Sequence, residues 1–441
     1  MIDRSRLRRI LVLALPIIGG MMSQNVLNLV DTAMVGMLGN AALAAVGLGG
    51  FATFMCMALI LGISTGVQAM SARRKGAGRF SEVAIPLNAG LLMVVAVAPL
   101  LSLVLYLLAP YFYPYLNSDP EVIEQGVPYL QVRLAGITFV GMNFAFRGFW
   151  NAIDRSGVYM STLVIMHACN ILLNYMLIFG KLGAPELGVA GAGLGTVLST
   201  MIGSIIYFTL AMRQVRPQGF LHGLPARKEI WGLFRLSLPS GVQQLFFSTG
   251  FVATYWIIGL VGTRELAAAN VLINVTLVAI LPGLGLGLAA ATLVGQALGR
   301  EDPRDAAQWG WDVTKVGLVL MTALGAPMWL VPDLILMGFI HDPVTVEVGR
   351  LPMRVVGATM AIEAVGMVLM HALLGAGDAK RVMVVAITTQ WIVFLPLAYF
   401  VGPILGLGLI GIWLLQGVYR LMQAALFLRF WAKGAWAAIK L

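Results

Sequence analysis

Of the 441 residues, 59% are hydrophobic and 11% charged, against roughly 25% charged in an ordinary soluble domain. A soluble fold of this length has nowhere to hide so much apolar surface, so the expected solvent is lipid. The net charge of +10 fits a nucleic-acid binder by number alone, but the placement of the charges points elsewhere.

A membrane-spanning helix needs about 20 apolar residues. Runs of that length predict twelve helices, over residues 10–36, 44–71, 83–110, 126–150, 157–180, 188–212, 230–260, 266–298, 308–339, 349–375, 381–402 and 405–431. Helices are expected because each satisfies its own backbone polar groups in hydrocarbon. The first apolar run is too long for a cleavable signal peptide, and no small-residue cleavage site ends it.

Arg4, Arg6, Arg8 and Arg9 precede helix 1, which then reads LALPIIGGMMSQNVLNLVDTAMVG. Asp31 follows Pro16 by 15 residues, roughly 22 Å along a helix, so it falls in the outer half of the membrane. Gln24, Asn28 and Asp31 are spaced i, i+4, i+7 and share one face. A carboxylate inside a span costs several kcal/mol, and such groups mark ion or proton paths. Helix 5 contains MHACNILLNYM, with His167, Asn170 and Asn174 at i, i+3, i+7; helix 6 contains GAGLGT, with Ala192 and Thr196 four apart. One carboxylate, two amides, a hydroxyl and a backbone carbonyl suit a hard cation such as Na+. The same set could relay a proton, and the asparagines could simply bond helix to helix.

Residues 213–229, RQVRPQGFLHGLPARKE, are polar and contain proline, and read as a cytoplasmic linker between an N-terminal lobe (1–212) and a C-terminal lobe (230–441). Beyond it, Gln243 and Gln244 on helix 7 and Asn270 and Asn274 on helix 8 are weaker polar marks. Helix 10 carries Glu363, a second acid expected to serve ion coupling. Cys56 and Cys169 both lie in spans, so neither a disulfide nor a metal site is expected. Met34, like the other methionines in spans, reads either as packing or as part of an adaptable binding surface. GLGLGLAA is a helix-packing run, since no strand precedes it.

The basic residues cluster before helix 1 and after helices 2, 4, 6, 8 and 10, while the opposite loops hold mainly Lys181 and Arg264. This positive-inside pattern places both termini in the cytoplasm and explains the basicity without nucleic acid.

The halves repeat. Pro16 and Pro239 lie 223 apart, and at that offset Gly39 meets Gly262, Leu43-Ala44-Ala45 meets Leu266-Ala267-Ala268, Gly62 meets Gly285, Gly76 meets Gly299 and Glu82 meets Asp305. Asp154 meets Asp378 at 224. Each unit has six helices, so the two are parallel repeats related by a pseudo-two-fold axis along the membrane normal, an architecture common among transporters. Thr254 occupies the place of Asp31 in the second repeat.

The first helix, with its proline, its acid 15 residues on and the following VG and LG, resembles the MATE family, the multidrug and toxic compound extrusion transporters. NILLNYMLIFGKLGAPELGVAGAG and ALLGAGDAKR are similar to the helix 5–6 region and the end of helix 10 in NorM-type members. The resemblance implies extrusion of organic cations or drugs by alternating access of two lobes, driven by inward H+ or Na+, with no other cofactor. It implies that Asp31, Asn170, Asn174, Ala192 and Thr196 form the ion site, that Glu363 is the helix-10 acid and that Pro16 is a hinge. Gln24, Asn28, Met34, His167, Gln243, Gln244, Asn270 and Asn274 are the candidates for the substrate cavity. The helix-7 glutamate of NorM-type members falls at Phe247 here, which tilts the expected coupling toward Asp31 and protons. The expected setting is a monomer in the bacterial inner membrane, in contact with lipid. A lipid-linked precursor flippase is the rival; it would need a cavity lined by arginines, whereas Arg133, Arg147 and Arg354 read as lying nearer helix ends. A membrane-embedded enzyme using His167, His371 and the two acids lacks any nucleophile–base pairing.

Overall fold

The computed structural model describes residues 2–441, all of them helical or connecting. In chain order the helices are α1 (Arg4–Gly36), α2 (Asn40–Leu61) running through Gly62 into α3 (Ile63–Gly76), α4 (Ile85–Phe112), α5 (Pro120–Ala135), α6 (Ile137–Ala152), α7 (Ser156–Phe179) and α8 (Gly188–Gln214). The second half holds α9 (Arg227–Val261), α10 (Thr263–Gly299), α11 (Pro303–Leu330), the short α12 (Pro332–Met337), α13 (Pro343–Ala376), α14 (Ala379–Ile387), α15 (Leu395–Tyr399) and α16 (Gly408–Lys433). Two π-helical stretches, Thr388–Phe394 and Phe400–Ile404, flank α15 and join α14 to it in one continuous span. Among the described residues, eleven helices are long and apolar enough to cross a membrane. The remaining expected span is present as α5 and α6, two helices of 16 residues meeting at Gly136, whose hydropathy is diluted by Gln131, Arg133, Asn143 and Arg147.

Local chemistry sets several helix starts. Asp119, Asp302 and Asp342 each precede a proline and cap the following helix, accepting from the amides of Glu121, Asp305 and Thr345. The carboxylate satisfies an orphan amide while proline fills the first position, where no amide is needed. Many large apolar side chains are exposed on the spans; on α4 they include Val95, Val97, Leu100, Leu103 and Leu107. That surface suits hydrocarbon and would be an aggregation liability in water.

The described chain packs as two compact units, Gly19–Gly241 on one side and Val242–Leu441 together with the residues up to Ile18 on the other. These differ from lobes cut at the polar segment 213–229. Each sequence half gives the start of its first helix to the unit built from the other half. The two breaks, after Ile18 and after Gly241, are themselves 223 residues apart, the spacing of the repeat-related prolines.

The same contacts secure both exchanged segments. Gly62 packs against the backbone of Ser237 and Gly241, while its repeat mate Gly285 packs against Ile18. A Cβ at either glycine would run into these neighbours, so only glycine permits the approach. At the helix starts the exchange is fixed by charge. Arg6 pairs with Asp305 and with Asp312, each at 2.6 Å, and its guanidinium lies 3.7 Å from the Trp309 ring centroid. Arg9 donates to Gln296 at 2.6 Å. In the other unit Arg74 pairs with Glu229 on the first turn of α9.

The segment expected as a linker is folded onto its unit. Asn88 donates to the Gly219 carbonyl at 2.8 Å and accepts from the Leu221 amide at 3.1 Å. Phe220 is fully buried between Phe146 and Phe208, with ring centroids 6.3 and 5.6 Å away.

Two outcomes are expected in thermal unfolding of the detergent-solubilised protein. Phe220→Ala opens a cavity under the segment and costs about 3–5 kcal/mol; a variant that melts like wild type would show the segment to be loosely attached. Arg6→Ala leaves Asp312 buried with only Gln308 and Lys315 beside it and costs about 1–3 kcal/mol.

Candidate functional site

In the unit spanning Gly19–Gly241, α1 meets α7 and α8 at a polar cluster. Asn174 donates to Asp31 Oδ1 at 2.8 Å and lies 3.1 Å from Asn170 Oδ1. With its amide nitrogen turned toward the carboxylate, Asn170 donates to Asp31 at 3.0 Å, and its carbonyl oxygen lies 3.3 Å from Thr196 Oγ1. The Thr196 hydroxyl donates to the Ala192 carbonyl at 2.9 Å. The five residues of the expected ion site are therefore joined in one chain of contacts. Both asparagines are fully buried.

Sequence explains why they meet. The i, i+4 spacing of Asn170 and Asn174 puts both on one face of α7. Opposite them α8 presents Gly195, and a Cβ there would collide with the Asn174 amide. Asn174 Oδ1 is buried and accepts no hydrogen bond. An unpartnered buried oxygen is rare, since such a group loses its water without replacement. Together with the carboxylate oxygens it gives the cluster acceptor capacity that a proton or a hard cation would use.

A second polar chain runs along the same face of α1. His167 lies 3.1 Å from both Ser23 Oγ and Gln24 Oε1, one ring nitrogen to each, and Gln24 donates to Asn28 at 3.1 Å. His167 is buried, whereas Gln24 and Asn28 are exposed. Exposed amides in the middle of a spanning helix require water on that face, because hydrocarbon would leave them unsatisfied. Met34 is half-buried against the Val35 and Ala45 core.

The remaining candidates lie in the other unit. Asn270 and Asn274 are exposed and bonded to each other at 2.7 Å. Gln243 donates to the Met370 sulfur at 3.4 Å, and the Gln244 carbonyl accepts from Ser248 at 2.6 Å. Thr254, in the place of Asp31, is buried with its hydroxyl on the Gly250 carbonyl. Phe247 stacks edge-on with Phe251 at 5.0 Å. The second repeat thus keeps the helices of the Asp31 site and none of its charge.

Glu363 has a partner that the sequence reading missed. Arg420 Nε lies 2.9 Å from Glu363 Oε1, so the acid is compensated within its own unit. The signal was available: Gln416, Arg420 and Gln423 on α16 repeat the i, i+4, i+7 pattern of Gln24, Asn28 and Asp31. Arg420 is not among the three arginines, Arg133, Arg147 and Arg354, that the sequence places nearer helix ends. Arg420 is mid-helix in the 26 residues of α16, and Arg133 lies at the junction of α5 with α6.

Comparison with known proteins agrees with this architecture. The MatE family model matches the chain twice, over residues 16–176 and 239–400, each match beginning at one of the repeat-related prolines. A probable multidrug resistance protein NorM from Thermotoga maritima is 26% identical, covering 97% of this chain and 93% of its own. A protein of the same description from Mesorhizobium japonicum is 29% identical over 98% of this chain and 94% of its own. Among solved structures, the outward-facing conformation of a multidrug resistance MATE family transporter superposes with a TM-score of 0.89 at 21% identity, covering 96% of this chain and 95% of that one. With the family matched over most of its length, the chain belongs to the MatE family of transporters: it is a multi-pass membrane protein and not an enzyme.

Proposed function

We propose that the protein extrudes organic cations or drugs across the bacterial inner membrane in exchange for inward H+ or Na+, with Asp31 as the coupling carboxylate. In this reading the lobes at 1–212 and 230–441 alternate access about Pro16, and both termini are cytoplasmic, in line with the positive-inside pattern. The relatives described as multidrug resistance proteins support the substrate class.

One observation carries the assignment to Asp31. Two other acids on the spans are paired with arginine: Asp312 on α11 with Arg6, and Glu363 in mid-α13 with Arg420. Asp31 is held by amides and makes no ion pair. A carboxylate held by neutral donors takes up a proton or Na+ without first displacing another cation. The ion drives transport only as far as it binds one conformation better than the other. Asn170 and Asn174, both bonded to the acid, are the parts of the site best placed to change that affinity. Arg420 and Arg133 would suit an anionic flippase cavity, but Arg420 is already paired, so the cation exporter is the better reading.

The test is a liposome assay with a fluorescent organic cation under an imposed pH gradient, with and without Na+. Wild type moves the cation and Asp31→Asn does not, and the Na+ dependence identifies the ion. Equal transport by both would make Asp31 structural. Asn174→Ala, which removes a donor to the acid, is expected to raise the ion concentration for half-maximal transport by roughly 10–100-fold. An unchanged ion requirement would put Asn174 outside the site.

A further inference from the structure

We infer that the Glu363–Arg420 pair is the second unit's recognition site for the cationic head of a substrate, and that Arg420 is a resident guanidinium which the incoming head displaces. The inference rests on the cation-export reading above and adds a specificity-determining residue to it.

Position supports the assignment. Glu363 lies 20 residues into the 34-residue α13, and Arg420 is mid-way along α16. Neither is sealed off: their side chains are 11% and 20% exposed. Both border a cavity of about 20 Å³ whose other polar linings are Thr276, Thr359 and Gln416. That is room for about one water, so the site is reached by small polar species. The threonine hydroxyls donate to carbonyls of their own helices, so toward a ligand they can act only as acceptors.

The pair is also built to open. Its 2.9 Å approach is not aligned as a hydrogen bond at Arg420 Nε, unlike the forked arginine–carboxylate pairs that hold tightest. Arg420 already has partners besides Glu363. Its guanidinium lies 5.0 Å from the Tyr419 ring centroid, and Nη1 lies 3.4 Å from Gln423 Oε1. Gln423 is in turn held by Thr389, in the π-helical stretch that follows α14. π-Turns inside helices recur at functional sites. When a ligand takes Glu363, the guanidinium keeps the aromatic face and the amide and is not left bare.

The resident group defines the ligand. Glu363 now faces a planar, monovalent N–H donor. The head that replaces it best is an amidinium, a guanidinium or a primary ammonium on an apolar body. A quaternary ammonium, with no N–H to give, gains less.

Benzamidinium is the probe, with benzamide as its uncharged near-isostere, titrated into detergent-solubilised full-length protein without any ion gradient. Arg420→Gln removes the competitor and raises benzamidinium affinity about tenfold, about 1.4 kcal/mol, while benzamide is unaffected. Unchanged or weaker benzamidinium binding would overturn the inference. Arg420→Lys keeps a resident cation and is expected to bind as wild type does; a tenfold gain there would count against displacement. Should Arg420→Gln fail to fold, the charge-neutral double change Glu363→Gln with Arg420→Gln still decides: it loses the preference for benzamidinium over benzamide, and a retained preference rules Glu363 out. On an Asp31→Asn background the gain persists, so failure of ion coupling and failure of this site are read separately.

Discussion

A charge inside a membrane needs a partner, and the helices that carry the charges are fixed by that need. Asp312 lies on α11 with 2% of its side chain exposed, and Arg6 at the start of α1 reaches it. Glu363 on α13 is matched by Arg420 on α16. Asp31 is matched only by amides from α7. Amides ease the desolvation of a carboxylate but do not cancel its charge. The same rule that ties down the first two acids therefore leaves the third in want of a cation, which is what the proposed exchange requires.

The second constraint is close backbone approach. Lipid gives helices no hydrophobic reason to associate, so contact area and small residues take over. Gly62 and Gly285 admit the exchanged starts of α9 and α1, and Gly195 admits the Asn174 amide beside Asp31. Because the exchange follows the repeat offset, each unit is completed by residues encoded in the other half of the chain. A half expressed alone would lack the segment that covers its glycine faces. Pro16 and Pro239 each sit just before an exchange point, inside helices that continue through them. Proline removes one backbone hydrogen bond there, so the element passing from unit to unit is weakest where the units divide.

Much of this was legible in the sequence because lipid simplifies the code. Hydropathy alone places the spans, and an ungapped offset reveals the duplication. The Asp31 cluster was also legible, since polar residues at i, i+3, i+4 and i+7 in apolar helices are expensive and must face one another. Arg420 obeys the same spacing, but its helix carries no acid, so it reads as an isolated charge until α13 is seen beside it. The exchange of half-helices was not legible at all. Segmentation at 213–229 follows polarity, whereas the packing boundary follows which glycine faces which backbone. Phe220 marks the same blind spot: one aromatic in a polar stretch reads as loop until Phe146 and Phe208 are seen on either side of it.

The repeat copied a scaffold and not a charge pattern. At the place of Asp31 the second unit has Thr254, whose hydroxyl is spent on its own helix, and at the place of the missing helix-7 acid it has Phe247. Its own acid, Glu363, carries a counter-ion on a neighbouring helix. One unit therefore holds an acid that any passing proton or metal cation can neutralise. The other holds an acid that yields only to a cation able to outcompete a guanidinium. In the proposed exchange, two sites with such unequal demands sort ligands by chemistry, the small coupling ion at Asp31 and a larger cation with N–H groups at Glu363. The two acids are not repeat mates, since Asp31 corresponds to Thr254, so the charge asymmetry lies on a shared scaffold and not in one altered site.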